Sequence, residues 1–237
     1  MNIKHLKFLA SPCCSKPLKI KKNKFDFEKE IIREGELYCS NCKKNYPIKN
    51  YIPRLINNKK KEVISFGYQW NSFTFSQIDK ETNIDESSVR LFSETSLSKE
   101  SIEGKSIVEI GCGAGRFINI IKNYNPSIII GIDASNSVDS ISKHLNLNDK
   151  NILIIQADIF NLPLRKRNFD HVFSIGVIHH TPNPYLAFKK ISFLVKEGGE
   201  LSISVYENSL AHRDSKNSIS LALYDFFWAA NLLRCEI

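Results

Sequence analysis

From Ser106 onward the chain alternates between two textures. Continuously apolar runs at Ser106–Ile110, Ser127–Ile132, Asn151–Gln156, His171–Ile175 and Glu200–Tyr206 read as strands buried on both faces. Between them, roughly at Arg116–Tyr124, Ser137–Leu145 and Pro184–Val195, apolar residues recur at helical spacing. Strands and helices in alternation predict an α/β fold: a Rossmann-like, mostly parallel sheet with helices on both faces. Residues 1–55 read differently. They break into short strand-like pieces punctuated by Pro12, Pro17, Gly35, Pro47 and Pro53, with Cys13, Cys14, Cys39 and Cys42 among them. A polar, lysine-rich stretch at 56–65 reads as a linker, followed by the aromatic segment Phe66–Phe75 and a polar helix from about Asp85 to Ser96. The pattern divides the chain into a small module at 1–57, a lead-in at 58–100 and an α/β domain at 101–237.

Composition narrows the function classes. With 42% hydrophobic and 24% charged residues the chain is an ordinary folded one. Its net charge of +8 is uneven: residues 1–62 hold 16 Lys+Arg against 6 Asp+Glu, or +10, and the remainder holds 17 against 19, or −2. A basic first module suits nucleic acid or an acidic partner, and equally a solvated lysine-rich surface. No run reaches the roughly 18–20 apolar residues of a membrane span, and the first ten residues carry lysines inside their only apolar stretch. The expectation is a cytoplasmic protein with no membrane span and with its six cysteines reduced.

The chemistry concentrates at strand ends. The first strand runs into Gly111-Cys112-Gly113-Ala114-Gly115, with Glu109 one residue inside it. Three glycines in five residues allow a tight turn and bring a ligand against bare main chain. A dinucleotide turn is G-x-G-x-x-G; here the third glycine comes one residue earlier, which disfavours an NAD-dependent oxidoreductase. The next two strands end in acids, Asp133 within GIDAS, where ribose hydroxyls can be held, and Asp158 within QAD, where an exocyclic amine can be held. Each acid alone also suits a helix N-cap. The fourth strand ends at Ser174-Ile175-Gly176, followed by His179 and His180, either of which can act as a general base or shape the loop.

Together these residues resemble a class I S-adenosylmethionine-dependent methyltransferase from about Lys105 to Tyr206, with Phe169–Pro184 and Leu194–Tyr206 fitting the family's fourth and fifth strands. The resemblance implies that Glu109, Gly111, Cys112, Gly113 and Gly115 hold the methionine part of S-adenosyl-L-methionine. It implies further that Asp133 and Ala134 bind the ribose, Asp158 and Ile159 the adenine, and that Ser174 and Gly176 lie close to the methyl group. The loop after the fourth strand resembles that of small-molecule O- and C-methyltransferases. Asn183-Pro184-Tyr185 falls too late to serve as the Asn-Pro-Pro-Tyr element of amide- or base-methylating enzymes. The expected substrate is a small-molecule methyl acceptor with an O, C or N nucleophile. The alternatives are a non-catalytic cofactor-binding or activator subunit and a nucleic-acid methyltransferase.

Cys39-Ser40-Asn41-Cys42 has the spacing of a zinc knuckle, which Cys13 and Cys14 could complete. Its surroundings resemble the small zinc-ribbon domain of methyltransferase activator proteins, whose first knuckle is C-P-x-C; here Ser11 stands at the first position. Structural zinc is one reading. A ribbon held by packing of Leu9, Leu18, Tyr46, Ile48 and Ile52 is the other. Cys112 and Cys235 read as incidental thiols. In the aromatic segment, Tyr68, Gln69 and Trp70 are placed either to cap the cofactor or to staple the modules. A fold of this class closes with two further strands, so the pattern, ending in one helix at Leu221–Leu233, predicts a shortened domain.

Overall fold

The computed structural model describes residues 1–21, 27–28, 30–56 and 86–205. The segment Phe66–Phe75, the Leu221–Leu233 helix and Cys235 lie outside the described residues. The first module contributes strands β1 (Lys19–Ile20), β2 (Phe27–Glu28), β3 (Ile31–Ile32), β4 (Gly35–Tyr38), β5 (Asn45–Lys49) and β6 (Ile52–Leu55). The second contributes β7 (Ser106–Ile110), β8 (Ile128–Asp133), β9 (Ile152–Ala157), β10 (Phe169–Ile175) and β11 (Val195–Ser204). Helices α1 (Glu86–Glu94), α2 (Lys99–Ile102), α3 (Arg116–Ile121) and α4 (Pro184–Ser192) complete the frame.

Nine of these strands form one sheet in the order β1-β4-β5-β6-β9-β8-β7-β10-β11. The pairs from β6 through to β11 are parallel, whereas β1, β4, β5 and β6 pair antiparallel. The two modules are therefore continuous: Arg54 and Leu55 of β6 sit in register with Gln156 and Ala157 of β9. The core follows the pleat. Val108, Ile110, Ile128, Ile130 and Ile132 face one side with Ala187 and Ile191 of α4 and with Leu9, Leu37, Tyr46 and Ile48 of the first module. Ile107, Ile129, Ile152 and Ile154 face the other with Phe117, Ile118 and Ile121 of α3. Both faces are covered along β7 to β10, as continuous apolar strands require; β11, expected to be buried on both faces, lies at the sheet edge and has no buried residue, its apolar positions alternating with serines and glutamates. The five residues expected to pack the ribbon are all buried, none more than 5% exposed.

Boundaries differ in instructive ways. The 137–145 helix is a 3-10 segment, Asn136–Lys143, because its serines bond locally: Ser135 Oγ accepts from the Ser137 amide, and Ser140 Oγ donates to the Ser137 carbonyl. The helix after the glycine turn stops at Ile121 and tightens to 3-10 through Tyr124, with Asn125 left-handed at φ 50°. The Asn-Pro-Tyr element is a helix start: Asn183 Oδ1 accepts from the Leu186 amide at 2.9 Å, with Pro184 opening α4. The last parallel strand begins at Val195, five residues before the expected Glu200, and pairs with β10 through a register shift near Phe169.

Candidate functional site

The order of the parallel strands reverses between β7 and β10, so a crevice opens at the carboxyl end of β7. The glycine turn fills its floor. Gly111, Gly113 and Gly115 take φ of +80°, +53° and +79°. At Gly111 an added Cβ would lie 2.3 Å from Val177 Cγ2, so this stretch must present bare main chain.

Glu109 stands behind that turn, 3% exposed, and its Oε2 is buried without a hydrogen-bond partner. Burial pushes its carboxyl well above the usual range; the Arg116 charge offsets part of this and the Asp133 charge adds to it. A buried acid without a partner is costly. One placed beside a glycine turn suits a ligand ammonium.

Asp133 ends β8 and already works for the chain. Its Oδ2 accepts from the Gly113 amide at 2.9 Å, and its Oδ1 accepts from the Ser135 amide at 2.8 Å and the Ser135 hydroxyl at 2.7 Å. A carboxylate offers about four lone-pair sites, so acceptor capacity remains on Oδ2. Asp158 caps the short turn Ile159–Asn161, its Oδ1 accepting from the Phe160 amide at 3.0 Å, while Ile159 packs against the core. The N-cap reading holds for Asp158 alone; the segment after Asp133 is capped by Ser135, which Asp133 in turn holds.

Other candidates serve the frame. Ser174 is fully buried and donates to the Ile110 carbonyl at 3.0 Å, tying β10 to the end of β7. Gly176 is left-handed at φ 71° and its amide donates to the Ser204 carbonyl at 2.8 Å. Cys112 turns into the core, where its Sγ would lie 3.0 Å from a Cβ on Gly131. Burial pushes its thiol up, so it contributes packing and an amide donor to the Ile132 carbonyl. Ala134 is half-buried beside Asp133, its carbonyl accepting from Gln156. His179 and His180 share the turn Ile178–His180 with rings 4.0 Å apart. Burial, then the neighbouring His180, lowers His179 to about 4, leaving it neutral at ordinary pH and a weaker base than a free imidazole.

Sequence reasoning passed over Gln156 and Arg54. Gln156 is 3% exposed at the end of β9, and its amide bonds the loop after Asp133. A polar side chain closing a fully apolar run was the available signal.

In the first module the Sγ atoms of Cys14, Cys39 and Cys42 lie within 4.8 Å of one another. Cys13 is exposed and outside this group, because adjacent cysteines on one turn cannot both face inward. Ser11 is buried at the fourth side, its hydroxyl 3.4 Å from Cys42 Sγ and 3.2 Å from the Tyr46 hydroxyl. That hydroxyl is the main reason the Cys42 thiol falls to about 6. Three converging thiols with a lowered thiol suit a thiophilic ion such as zinc, with an oxygen at the fourth corner.

Comparison with known proteins agrees with both halves of this geometry. Residues 108–203 match a family model described as a methyltransferase domain, and residues 2–50 match one described as Trm112p-like protein. A tRNA U34 carboxymethyltransferase of Campylobacter curvus is 30% identical over 102 residues, 43% of this chain and 34% of that protein. A ubiquinone biosynthesis O-methyltransferase of Coxiella burnetii is 29% identical over 105 residues, 44% of each. The chain thus spans less than half the length of these curated relatives. A solved structure from Methanococcus maripaludis, described as an S-adenosyl-L-methionine-dependent methyltransferase, shares the fold at a TM-score of 0.51. It is 16% identical, with 74% of this chain and 86% of that one covered.

Proposed function

For a chain that joins a Trm112p-like domain to a methyltransferase domain, we propose transfer of a methyl group from S-adenosylmethionine to an O, C or N nucleophile of a small metabolite. The observation that carries this reading is the buried, unpartnered Glu109 carboxyl behind a turn of bare main chain. When bound, S-adenosylmethionine supplies an activated methyl on a sulfonium, displaced in line by the acceptor atom, so the protein's task is positioning. Glu109 accepts from the donor's ammonium, the free lone pair of Asp133 accepts from ribose, and Asp158 accepts from the adenine amine. His179 or His180, on the turn that follows β10, takes the proton that an acceptor hydroxyl or amine releases, the burial that depresses His179 being relieved as its ring pairs with the acceptor. Nonpolar packing of Cys112 and Val177 under the turn keeps water from its underside.

Calorimetry with S-adenosylhomocysteine tests the cofactor site. Binding lost in Asp133→Ala supports it, and no binding by the unaltered chain refutes it. Methyl transfer assayed with candidate phenols, amines and carbon acids then tests the acceptor class; binding without turnover on any acceptor favours an activator subunit. A second reading, an RNA acceptor, is favoured by the +10 charge of residues 1–62. A steep fall of RNA affinity with salt supports it.

A further inference from the structure

We infer that Arg54 and Gln156 are positioning residues that set the loop carrying Asp133 and, through it, the affinity for the cofactor. The inference rests on the cofactor reading above. Gln156 Nε2 lies 3.2 Å from the Ala134 carbonyl, 3.0 Å from the Ser135 carbonyl and 3.1 Å from Asn136 Oδ1, the three residues that follow Asp133. Ser135 in turn donates twice to Asp133. The loop's conformation therefore depends on which way one buried amide points.

Arg54 decides that direction. Its Nη1 donates to Gln156 Oε1 at 3.2 Å, and a guanidinium offers only donors. With Oε1 held toward Arg54, Nε2 must face the loop; a flipped amide would set two sets of donors against each other and turn an acceptor toward the Ala134 and Ser135 carbonyls. The Arg54 Nη2 pairs with Asp139, on the 3-10 segment that continues from the same loop. One side chain thus holds the loop from beneath, through Gln156, and from beyond, through Asp139. The placement follows from the sheet, since Arg54 and Gln156 are register partners across β6 and β9. The Arg54 side chain is 12% exposed and its bond to Gln156 is partly buried, whereas the pair with Asp139 faces solvent. The effect of Arg54 and Gln156 passes through Ser135 to Asp133.

The test uses the full chain and S-adenosylhomocysteine as the probe. Arg54→Met and Gln156→Leu weaken its binding about three- to tenfold, the worth of one or two lost hydrogen bonds transmitted to the site. Hydrogen exchange at the Ser135 and Ser137 amides rises in both variants. Asp139→Asn, which removes one pairing charge at the surface, gives a smaller loss. Ile32→Val, a core truncation in the first module outside β6, lowers the melting temperature without changing affinity. If the unaltered chain does not bind the probe, the cofactor reading and this inference fall together. Binding by the unaltered chain that Arg54→Met and Gln156→Leu leave unchanged overturns this inference alone. So does a loss of affinity that Ile32→Val reproduces.

Discussion

Replacing Glu109 by glutamine is expected to stabilise the ligand-free protein while damaging its binding site. The carboxyl is 3% exposed with Oε2 unpartnered, and burial raises its pKa. A raised carboxyl holds its proton more tightly folded than unfolded. Its contribution is therefore favourable at low pH and is lost as pH rises above the unfolded value, for as long as pH stays below the folded one. The slope for one group is at most about 1.4 kcal/mol per pH unit. Over the two pH units from 5 to 7 the difference between the two proteins should therefore grow by no more than about 3 kcal/mol, with the Glu109→Gln variant the more stable form. In a chain of this size that is a relative rise in melting temperature of at most about 10 °C. Thermal unfolding of both proteins at several pH values isolates the effect, because every other titrating group cancels in the difference. Calorimetry on the same samples should show S-adenosylhomocysteine bound about 10- to 100-fold more weakly by the variant, since a charge-assisted bond is lost. A difference independent of pH, or undiminished affinity, would refute the reasoning.

Gly111→Ala should lower stability by about 1–3 kcal/mol and weaken probe binding, since it combines a left-handed φ with a Cβ 2.3 Å from Val177; denaturant unfolding and calorimetry measure both. His179→Ala should lower kcat by about 10²–10⁴ with cofactor affinity unchanged, whereas equal loss in both parameters would mark a packing role. His5 is buried, with Nε2 at 2.8 Å from the Lys150 carbonyl and Nδ1 accepting from the Asn2 amide, and burial lowers it to about 4 from 6.5. A depressed histidine leaves stability intact above pH 6.5 and erodes it by up to about 3 kcal/mol as pH falls to 4; His5→Gln should flatten that part of the stability curve. Chelation should lower the melting temperature of zinc-loaded protein, and Ser11→Cys should bind zinc at least about tenfold more tightly in competition with a chromophoric chelator.

What was legible in the sequence was what physics encodes locally. Four buried parallel strands, β7 to β10, announced themselves as apolar runs, and the glycine turn could be placed because only glycine tolerates three left-handed residues in five. Asp133 and Asp158 were found by their position at strand ends. The pairing of β6 with β9 was not legible, because a parallel partner some hundred residues away leaves no periodicity near either strand. Arg54 was hidden for the same reason, since its meaning depends on Gln156. The 3-10 form of Asn136–Lys143 was missed because apolar spacing outweighed a cluster of serines that bond their own backbone. The start of β11 was masked by Gly198 and Gly199, which read as a turn but lie within the strand. Among the cysteines, spacing identified the Cys39–Cys42 knuckle, but only three dimensions separate Cys14 from Cys13.

The joint between β6 and β9 also has a meaning in time. Arg54 leaves the ribosome 102 residues before its partner Gln156, a delay of roughly 5–20 s at ordinary rates of synthesis. Throughout that interval the last strand of the first module has an unsatisfied edge, which is the template on which nascent chains stick to one another. The strand is only four residues long, Ile52–Leu55, and carries a proline and an arginine at its centre. Both are residues that make an exposed edge a poor site for wrong partners. The arginine that orients the cofactor loop in the finished protein thus guards the open edge while the rest is still being made.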